Sequence, residues 1–269
     1  MTGACSLIIA TYNWPSALQL CIQSVLHQSV LPAEIIIADD GSAEETKLLI
    51  ARVAAESPVP VIHVWQPDDG FQLARIRNRA IARSTQPYII QIDGDLIVHQ
   101  HFIKDHLQIQ EPGYFVSGSR VLLSPETSQA LIKNGSLDIQ KHYRGSRNVF
   151  NKLRNGFLRK FLARRYKIKG KNKFYVKGCN MAFWRKDLLA VNGYNEAFTG
   201  WGKEDSEIAI RLINAGIQKK FLKLGGITYH LYHKEASREM EPLNVQIMET
   251  TEHKKLTVAE KGLNQYLSF

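Results

Sequence analysis

Apolar runs of strand length alternate with helical patterns along the first hundred residues, and this alternation limits the folds that the chain can adopt. The runs are residues 6–10, 34–38, 61–65 and 88–92. Continuous apolar runs are typical of strands buried on both faces. Strands that alternate with helices through short connections favour parallel pairing with right-handed crossovers. The sequence therefore predicts an α/β fold with a mainly parallel central sheet flanked by helices.

Carboxylates directly follow two of these runs. Asp39 and Asp40 end the second run, and Asp93-Gly94-Asp95 ends the fourth. The carboxyl ends of the strands form the edge at which open α/β sheets bind ligands. Two carboxylates this close repel each other unless a cation lies beside them, and a divalent ion that bridges to phosphate oxygens would meet that need. The alternative interpretation is a solvated Asp-Gly turn.

Composition excludes several classes of protein. The chain has 269 residues, 44% of them hydrophobic, so it can bury a substantial core. We expect neither a signal peptide nor a membrane-spanning helix, because no apolar run reaches the roughly 18 residues that a span needs. Cys5, Cys21 and Cys179 are too few and too scattered for a disulfide framework or a metal site. These features predict a reducing compartment, the cytoplasm.

Positive charge is concentrated in one segment. The net charge is +10, but sixteen Lys/Arg and no Asp or Glu lie between Ile139 and Lys186, which leaves 19 basic and 25 acidic residues elsewhere. One segment is therefore strongly basic while the rest of the chain is mildly acidic. This asymmetry predicts a local anionic partner.

Within the basic segment an apolar stripe recurs at helical spacing. Its members are Phe150, Leu153, Phe157, Leu158, Phe161 and Leu162. A basic amphipathic helix is typical of a segment that lies on anionic lipid, so we expect residues 141–173 to contact an anionic membrane surface. In one alternative the stripe docks on the protein's own core. In another the segment binds nucleic acid, although no stacking platform of aromatic residues is interleaved with its charges.

Two patterns in the second half place carboxylates and imidazoles at the ends of predicted elements. A loop that holds Trp201 between two glycines has a flat face suited to a sugar ring, and it leads into a predicted helix that starts with Glu204 and Asp205. Simple helix capping is the alternative for these carboxylates. His230 and His233 close a predicted strand; they face opposite ways if the strand continues and converge if it ends in a turn.

Together these motifs resemble those of family 2 glycosyltransferases with the nucleotide-sugar-binding GT-A fold. The matching blocks are residues 6–13, 39–42, 93–95 and 200–207. The second half resembles the C-terminal region of β-1,4-galactosyltransferases and chondroitin polymerases, and the likeness extends to bacterial enzymes of lipopolysaccharide core or capsule glycosylation. The resemblance covers about residues 5–125 and 174–245, so residues 131–173 lie outside it.

The resemblance implies a metal-dependent, inverting glycosyltransferase that moves a sugar from a UDP-sugar to a glycan or lipid-linked acceptor. The implied donor-binding residues are Thr11, Tyr12, Asn13, Asp40, Arg75, Arg77, Asp93 and Trp201. The implied ligands of Mn²⁺ or Mg²⁺ are Asp95, His233 and His230, the last at a position where the galactosyltransferases have a weaker ligand. Asp205 matches the catalytic base, and Glu204 would hold the acceptor or donor sugar. Lys203 replaces a glycine of the galactosyltransferases, which could favour a phosphorylated or acidic acceptor.

The implied organisation has four parts. Residues 1–125 form the nucleotide-sugar-binding half, 126–173 a basic helical insertion, 174–245 the acceptor-binding and catalytic half, and 246–269 a C-terminal tail. The expected location is the inner face of a bacterial plasma membrane. Two other functions remain open: a sugar nucleotidyltransferase, which would need a glycine-rich phosphate loop that Thr11-Tyr12-Asn13 does not provide, and a basic nucleic-acid-binding protein.

Overall fold

Parallel strands alternate with helices through the first half of the molecule. The computed structural model describes residues 2–139, 145–234 and 236–267, so the start of the predicted membrane segment 141–173 lies outside the described residues. The strands are β1 (Thr2–Thr11), β2 (Leu31–Asp39), β3 (Val61–Trp65), β4 (Tyr88–Asp93), β5 (Leu96–Val98), β6 (Tyr114–Ser117), β7 (Val121–Leu122), β8 (Asn180–Trp184), β9 (Gln218–Phe221) and β10 (Thr228–His230). The helices are α1 (Pro15–Leu26), α2 (Glu44–Glu56), α3 (Leu73–Arg83), α4 (Phe102–Leu107), α5 (Pro125–Asn134), α6 (Gly156–Ala163), α7 (Arg185–Ala190), α8 (Glu204–Asn214) and α9 (Glu241–His253).

Over the described residues the strands form one sheet of seven and one of three. The larger sheet has the order β3-β2-β1-β4-β8-β6-β9, and the smaller has the order β5-β10-β7. In the larger sheet β8 runs antiparallel to both of its neighbours, and the other six strands run parallel to one another. The predicted α/β fold with a mainly parallel sheet is therefore confirmed. Six strands deliver their carboxyl ends to a single edge, which we name the active edge.

Helices cover both faces of the larger sheet, which explains its continuous apolar strands. In β1, Leu7 and Ile9 pack beneath α1 and α2, whereas Ile8 and Ala10 pack beneath α3 on the opposite face. Burial of each such side chain stabilises the fold by roughly 1.5 to 3 kcal/mol. All three cysteines are buried free thiols. No helix in the described ranges has both the length and the apolar character to cross a bilayer.

The basic segment does not form the single amphipathic helix that was predicted. A 3₁₀ turn at Val149–Lys152 and α6 replace it, and Asn155 separates the two. The Asn155 side-chain oxygen accepts hydrogen bonds from the backbone N–H groups of Phe157 and Leu158, so this residue starts a new helix. The prediction was wrong here because it read apolar spacing alone and gave no weight to an asparagine cap.

The apolar stripe of this segment faces away from the protein. Phe150 is 81% exposed, Phe157 84% and Phe161 53%, and Leu153 and Leu158 are also exposed. We name these five side chains the apolar face. The alternative in which they dock on the protein's own core is wrong.

A buried carboxylate anchors α6, and the residues just before it, to the body by pairing with two arginine side chains. Asp105 on α4 is fully buried and accepts hydrogen bonds from Arg159 Nη1 at 2.6 Å and Arg154 Nη2 at 2.7 Å. It also accepts one from the backbone N–H of Gly226 at 3.0 Å. Arg159 is only 1% exposed. Hence α6 turns an arginine inward and its phenylalanines outward.

Two predicted boundaries fall inside helices and are corrected here. The boundary between residues 125 and 126 cuts the first turn of α5, and the boundary between 245 and 246 lies in the middle of α9. The C-terminal residues also pack on the body, because Leu263 is buried and the Tyr266 hydroxyl donates to Glu196 Oε2 at 3.0 Å. The segment after residue 245 is therefore an integrated part of the fold.

We predict that Asp105→Asn lowers the free energy of unfolding by about 3 kcal/mol, because it leaves two arginine side chains without their buried counter-charge. Glu44→Gln is the matched control: it removes an exposed pair with Lys47 and should change stability by less than about 0.5 kcal/mol. Urea unfolding of the two variants measures both values. Equal effects would show that Asp105 does not anchor the segment.

Candidate active site

A buried arginine joins carboxylates from the two halves of the chain. Arg77 on α3 is 1% exposed; its Nη2 donates to Asp93 Oδ1 at 2.9 Å, and its Nη1 donates to Glu204 Oε1 at 3.2 Å. Burial would lower the pKa of Arg77, but Tyr194 and the two carboxylates outweigh that effect and raise the pKa above its ordinary value. The sequence analysis grouped Arg77 with the donor-binding residues. Since both amino groups hold protein carboxylates, we infer a positioning role.

The neighbouring Asn78 ties the same helix to the second half. Its Nδ2 donates to the backbone oxygen of Tyr194 at 2.8 Å and to Glu196 Oε1 at 2.9 Å, and its Oδ1 accepts from the backbone N–H of Tyr194 at 2.7 Å. Asn78 is fully buried, so these bonds satisfy its amide completely. They orient the chain that leads to α8 and its carboxylates.

Asp95 and two histidines converge on one point. Asp95 Oδ2 lies 3.3 Å from His230 Nε2 and 3.1 Å from His233 Nε2. Because β10 ends at His230, the chain turns there and brings His233 to the same side, so the imidazoles converge rather than face opposite ways. Potential ligand atoms of the three residues all lie within 4.8 Å of one another. We name them the metal triad.

Electrostatics prepare the metal triad to bind a cation. Burial would raise the pKa of Asp95, but His230 and His233 outweigh it and lower the pKa below its usual range. Burial lowers the pKa of His230, which favours the neutral imidazole that metals require, whereas the hydrogen bond with Asp95 raises the pKa of His233, so a bound metal would displace a proton there. Asp95 Oδ1 is buried, and none of the residues that the structure describes forms a hydrogen bond with it. One carboxylate with two imidazoles suits Mn²⁺ better than Mg²⁺, which prefers oxygen ligands.

The second pair of carboxylates begins α8. Asp205 Oδ2 accepts a hydrogen bond from the backbone N–H of Gly178 at 2.8 Å, and Oδ1 accepts from the N–H of Ser206 at 2.7 Å. Burial, reinforced by Asp205 and opposed by Arg77, raises the pKa of Glu204 to about 7. Asp205 is thus held at the active edge beside the start of β8.

Lys203 pairs with a carboxylate of the protein, although its position in the sequence suggested that it would meet an acidic acceptor. It caps α8 in a left-handed conformation with φ of 75°, and its Nζ lies 3.6 Å from Glu241 Oε1 on α9. The charge of Lys203 is therefore partly neutralised by the protein itself.

The predicted nucleotide-binding residues lie together at the ends of β1 and β2. Asp40 donates its backbone N–H to the Thr11 oxygen at 3.0 Å, and its carboxylate accepts from the Gln72 backbone N–H at 2.9 Å. Burial raises the pKa of Asp40 to about 6. Tyr12 is 50% exposed, and Asn13 follows in a left-handed conformation with φ of 43°.

Two predicted donor-binding residues already contact other side chains. Arg75 lies beside the hydroxyl of Tyr266 in the C-terminal segment. Trp201 is half-buried, and the Arg238 guanidinium lies 4.7 Å from its ring centroid, so one face of the indole is covered. Neither residue contacts the Asp40 group in the described contacts of the chain.

Arg120 is a candidate that the sequence analysis missed. It lies three residues beyond the end of β6, and its Nη1 donates to Cys179 Sγ at 3.4 Å. Burial would lower the pKa of Arg120, but Cys179, Asp93 and Asp95 raise it. The available signal was its place just after a strand at the active edge, but the weak pattern of β6 obscured it.

Comparison with known families agrees with this geometry. The family model described as "Glycosyl transferase family 2" matches residues 6–190, more than half of the chain. The chain belongs to glycosyl transferase family 2. A second model, described as "N-terminal domain of galactosyltransferase", matches residues 159–234. The prediction of the family is therefore confirmed. The first match also runs across residues 131–173, which had been placed outside the resemblance.

Named relatives are similar over most of this chain but are longer. Chondroitin synthase of Escherichia coli is 23% identical over 84% of this chain and 34% of its own length. Hyaluronan synthase of Pasteurella multocida is 28% identical over 86% of this chain and 24% of its own length. The chain thus spans between a quarter and about a third of these two relatives.

Solved structures share the fold. The structure of S. aureus TarS 1-349 has a TM-score of 0.64 at 12% identity and covers 99% of this chain and 68% of its own. The mannosyltransferase PcManGT from Pyrobaculum calidifontis has a TM-score of 0.59 at 15% identity and covers 94% of this chain and 70% of its own. These likenesses confirm the GT-A fold.

The raised pKa of Glu204 predicts opposite pH responses of activity and stability. Below about pH 7 the carboxyl is protonated in the folded protein, so its ion pair with Arg77 is lost and the transfer rate should fall. Since this pKa lies above the ordinary value of 4.5, protonation favours the folded state, and stability should rise as the pH falls from about 7 towards 4.5.

Measurements of kcat and melting temperature against pH, on wild type and Glu204→Gln, test this pair of trends. The variant should lack the inflection near pH 7 in both properties. A variant that retained both inflections would assign them to another group.

Proposed function

We propose that this chain is a metal-dependent, inverting glycosyltransferase that moves a sugar from a UDP-sugar to a hydroxyl of a glycan or lipid-linked acceptor. The observation that carries the proposal is the Arg77 bridge between Asp93 and Glu204. It brings the segment that holds Asp95 and the segment that holds Asp205 to the same edge of the sheet. Bacterial surface glycans of the lipopolysaccharide core or capsule type are the acceptors that this proposal favours.

The donor side of the proposal rests on the group around Asp40. Thr11, Tyr12 and Asn13 leave β1 beside this buried carboxylate, which already accepts one backbone hydrogen bond and can accept one from a uracil N–H. S. aureus TarS has been solved in complex with UDP and with UDP-GlcNAc, and PcManGT in complex with GDP-Man and Mn²⁺. A nucleoside diphosphate sugar is therefore the class of donor that we assign to this chain.

The metal triad would hold Mn²⁺ next to the donor diphosphate. When bound, the cation would act as a Lewis acid that supplies positive charge to the departing phosphate oxygens. Arg120 adds a fixed positive charge beside Asp93 and Asp95 and can donate hydrogen bonds to the same phosphates. Asp93, which Arg77 orients, faces the donor from the end of β4.

Asp205 would act as the general base. It accepts the proton of the acceptor hydroxyl while that oxygen attacks the anomeric carbon and the bond from this carbon to the diphosphate oxygen breaks. The backbone N–H of Gly178 holds the carboxylate in place for this step. Because Glu204 and Asp93 are engaged by Arg77, neither is offered as a covalent nucleophile, and a single displacement inverts the anomeric configuration.

We expect Asp205→Asn to lower kcat by about 100- to 10,000-fold with little change in the affinity for UDP, because it removes the base and keeps the side-chain shape. A panel of UDP- and GDP-sugars with Mn²⁺ identifies the donor, and NMR of the product reports its anomeric configuration. A product that keeps the donor's configuration would contradict the single displacement.

The same assay tests whether transfer requires a metal. Chelation by EDTA should abolish transfer, and Mn²⁺ should restore it. His233→Ala should need a higher Mn²⁺ concentration for half-maximal rate, whereas His27→Ala, on an exposed histidine of the helix α1 terminus, should not. A rate that is indifferent to EDTA would remove the metal triad from the proposal.

We also propose that the apolar face attaches the enzyme to an anionic membrane surface, as a peripheral protein of the inner leaflet. Phe150, Phe157 and Phe161 are exposed, as are Lys160 and Arg165, and the Arg165 guanidinium lies 4.2 Å from the centroid of the Phe161 ring. A surface with protruding aromatic rings and neighbouring cations fits the interface of anionic lipids, because rings enter the acyl boundary while the cations meet the headgroups. Such attachment would bring the active edge to lipid-linked acceptors.

Vesicle sedimentation tests this attachment. We expect Phe157→Ser to weaken binding to phosphatidylglycerol vesicles by roughly 10- to 150-fold, since burial of one such ring is worth roughly 1.5 to 3 kcal/mol. Leu48→Ser is the matched control, because Leu48 is 62% exposed on α2 and far in sequence from the apolar face. Equal losses in both variants, or binding of an oligonucleotide in place of vesicles, would contradict the proposal.

A further inference from the structure

Half-buried lysines lie together beside the candidate active site. We name Lys167, Lys177 and Lys223 the lysine cluster. Lys167 Nζ lies 4.4 Å from the centroid of the Tyr175 ring, and Lys177 Nζ lies 5.1 Å from the same centroid. Lys223 Nζ and Lys167 Nζ lie 5.7 and 5.6 Å from the Tyr166 centroid. The three ammonium groups therefore lie beside the rings of the same two tyrosines.

No acidic side chain neutralises these charges. In the part of the chain that the structure describes, none of the three ammonium groups forms an ion pair with a carboxylate, and Lys223 Nζ donates instead to Asn151 Oδ1 at 2.6 Å. Burial, and then the nearby charge of Lys167, lowers the pKa of Lys223. The same two causes lower the pKa of the buried Lys219 to about 8. Like charges held this close favour an anion between them.

The lysine cluster lies at the active edge, on the side away from the nucleotide-binding residues. The backbone N–H of Lys177 donates to Ser117 Oγ at the end of β6, and the next residue, Gly178, donates its N–H to Asp205. Lys223 stands two residues beyond the end of β9, which pairs with β6 at the edge of the sheet. The Asp40 group lies at the other end, where β2 neighbours β1.

We propose that the lysine cluster is a subsite for an anionic glycan acceptor, one that carries a phosphate or a carboxylate group next to the sugar whose hydroxyl reacts. This inference rests on the proposed transferase function and adds the chemical class of its acceptor. The ammonium groups meet the anionic substituent, and the rings of Tyr166 and Tyr175 hold these groups in place by cation–π contacts. Lys177 precedes Gly178, whose backbone N–H donates to Asp205, so the base that would accept the hydroxyl proton lies next to the lysine cluster.

Two other anions fit the observations less well. A second nucleotide would need the side chains that accept a base, and those lie at β1 and β2. Lipid headgroups would meet the fully exposed cations beside the apolar face, whereas the lysine cluster is half-buried. The anionic glycan is therefore the ligand that position, burial and ring contacts favour together.

Isothermal titration with four small probes tests the subsite. The probes are methyl glucoside 6-phosphate, methyl glucuronide, the neutral methyl glucoside, and inorganic phosphate. We expect at least one of the two anionic glycosides to bind at least about tenfold more tightly than the neutral glucoside, with an advantage that shrinks at high salt. A preference for the 6-phosphate or the glucuronide distinguishes a phosphorylated from an acidic sugar. If inorganic phosphate binds as tightly as the preferred glycoside, the sugar plays no part and the proposal fails.

Single charge-removing variants locate the binding. Lys167→Gln and Lys223→Gln should each weaken the preferred anionic glycoside by about three- to tenfold and leave the neutral glucoside unaffected. Lys169→Gln is the matched control, an exposed lysine of the same segment. Unchanged affinity in the first two variants, or a loss of phosphatidylglycerol vesicle binding in place of glycoside binding, would overturn the subsite.

Hydrolysis of UDP-sugars by the wild-type enzyme separates this inference from the function on which it rests. If the wild type hydrolyses a UDP-sugar with Mn²⁺ but binds charged and neutral glycosides equally, only the acceptor inference fails. If it binds and hydrolyses no nucleotide sugar, the transferase proposal itself fails.

Discussion

The buried guanidinium of Arg77 is the constraint on which the rest of the active edge depends. Removal of an ion of this size from water costs several kcal/mol, so a buried arginine must be matched by charges in good geometry. Asp93 and Glu204 provide that match, and they come from parts of the chain that lie 16 and 127 residues away from Arg77. The fold cannot bury this side chain unless both halves are in place. Burial of one charge therefore couples the sheet to the helix that holds Asp205.

Charge changes in a regular order along the active edge. Carboxylates dominate at the ends of β1 and β2, and the metal triad and Arg120 occupy the centre. Beyond β6 and β9 lie lysines that have no acidic partner among the described residues. A nucleotide sugar needs an acceptor of hydrogen bonds at its base and positive charge at its diphosphate. The observed order matches these two needs between the ends of β1 and β2 and the metal triad. The cationic end then lies where the attacking molecule must approach.

Strands and terminal carboxylates were predictable from the sequence because both depend on local patterns. Continuous apolar runs identified β1, β2 and β4, and the abrupt change to Asp93 and Asp95 marked the active edge. The turn after His230 was left open, since strand length cannot be read from an alternating pattern alone. In the structure β10 ends after three residues, and its partners β5 and β7 have only three and two residues with which to pair.

Buried cations were the part that sequence patterns could not reveal. Arg77 and Arg159 both occupy helices where a charged residue normally faces water, and only a distant carboxylate explains their burial. Arg159 meets Asp105 across 54 residues of sequence, a separation that no helical periodicity encodes. Arg120 was missed for a related reason, because its partner Cys179 lies 59 residues away in the sequence. The site's ligands were therefore easier to predict than the residues that position them.

The absence of acidic residues from the basic segment determines how that segment faces. The arginines of the segment turn towards carboxylates that the body supplies: Asp105 pairs with Arg154 and Arg159, and Glu111 pairs with Arg164. These ion pairs hold the polar side of α6 and the residues around it against the body. The opposite, apolar side of this short helix therefore faces outward. An aspartate within the segment could have paired locally and allowed the phenylalanines to dock. The exposed apolar face therefore follows from the lack of acidic residues in the basic segment.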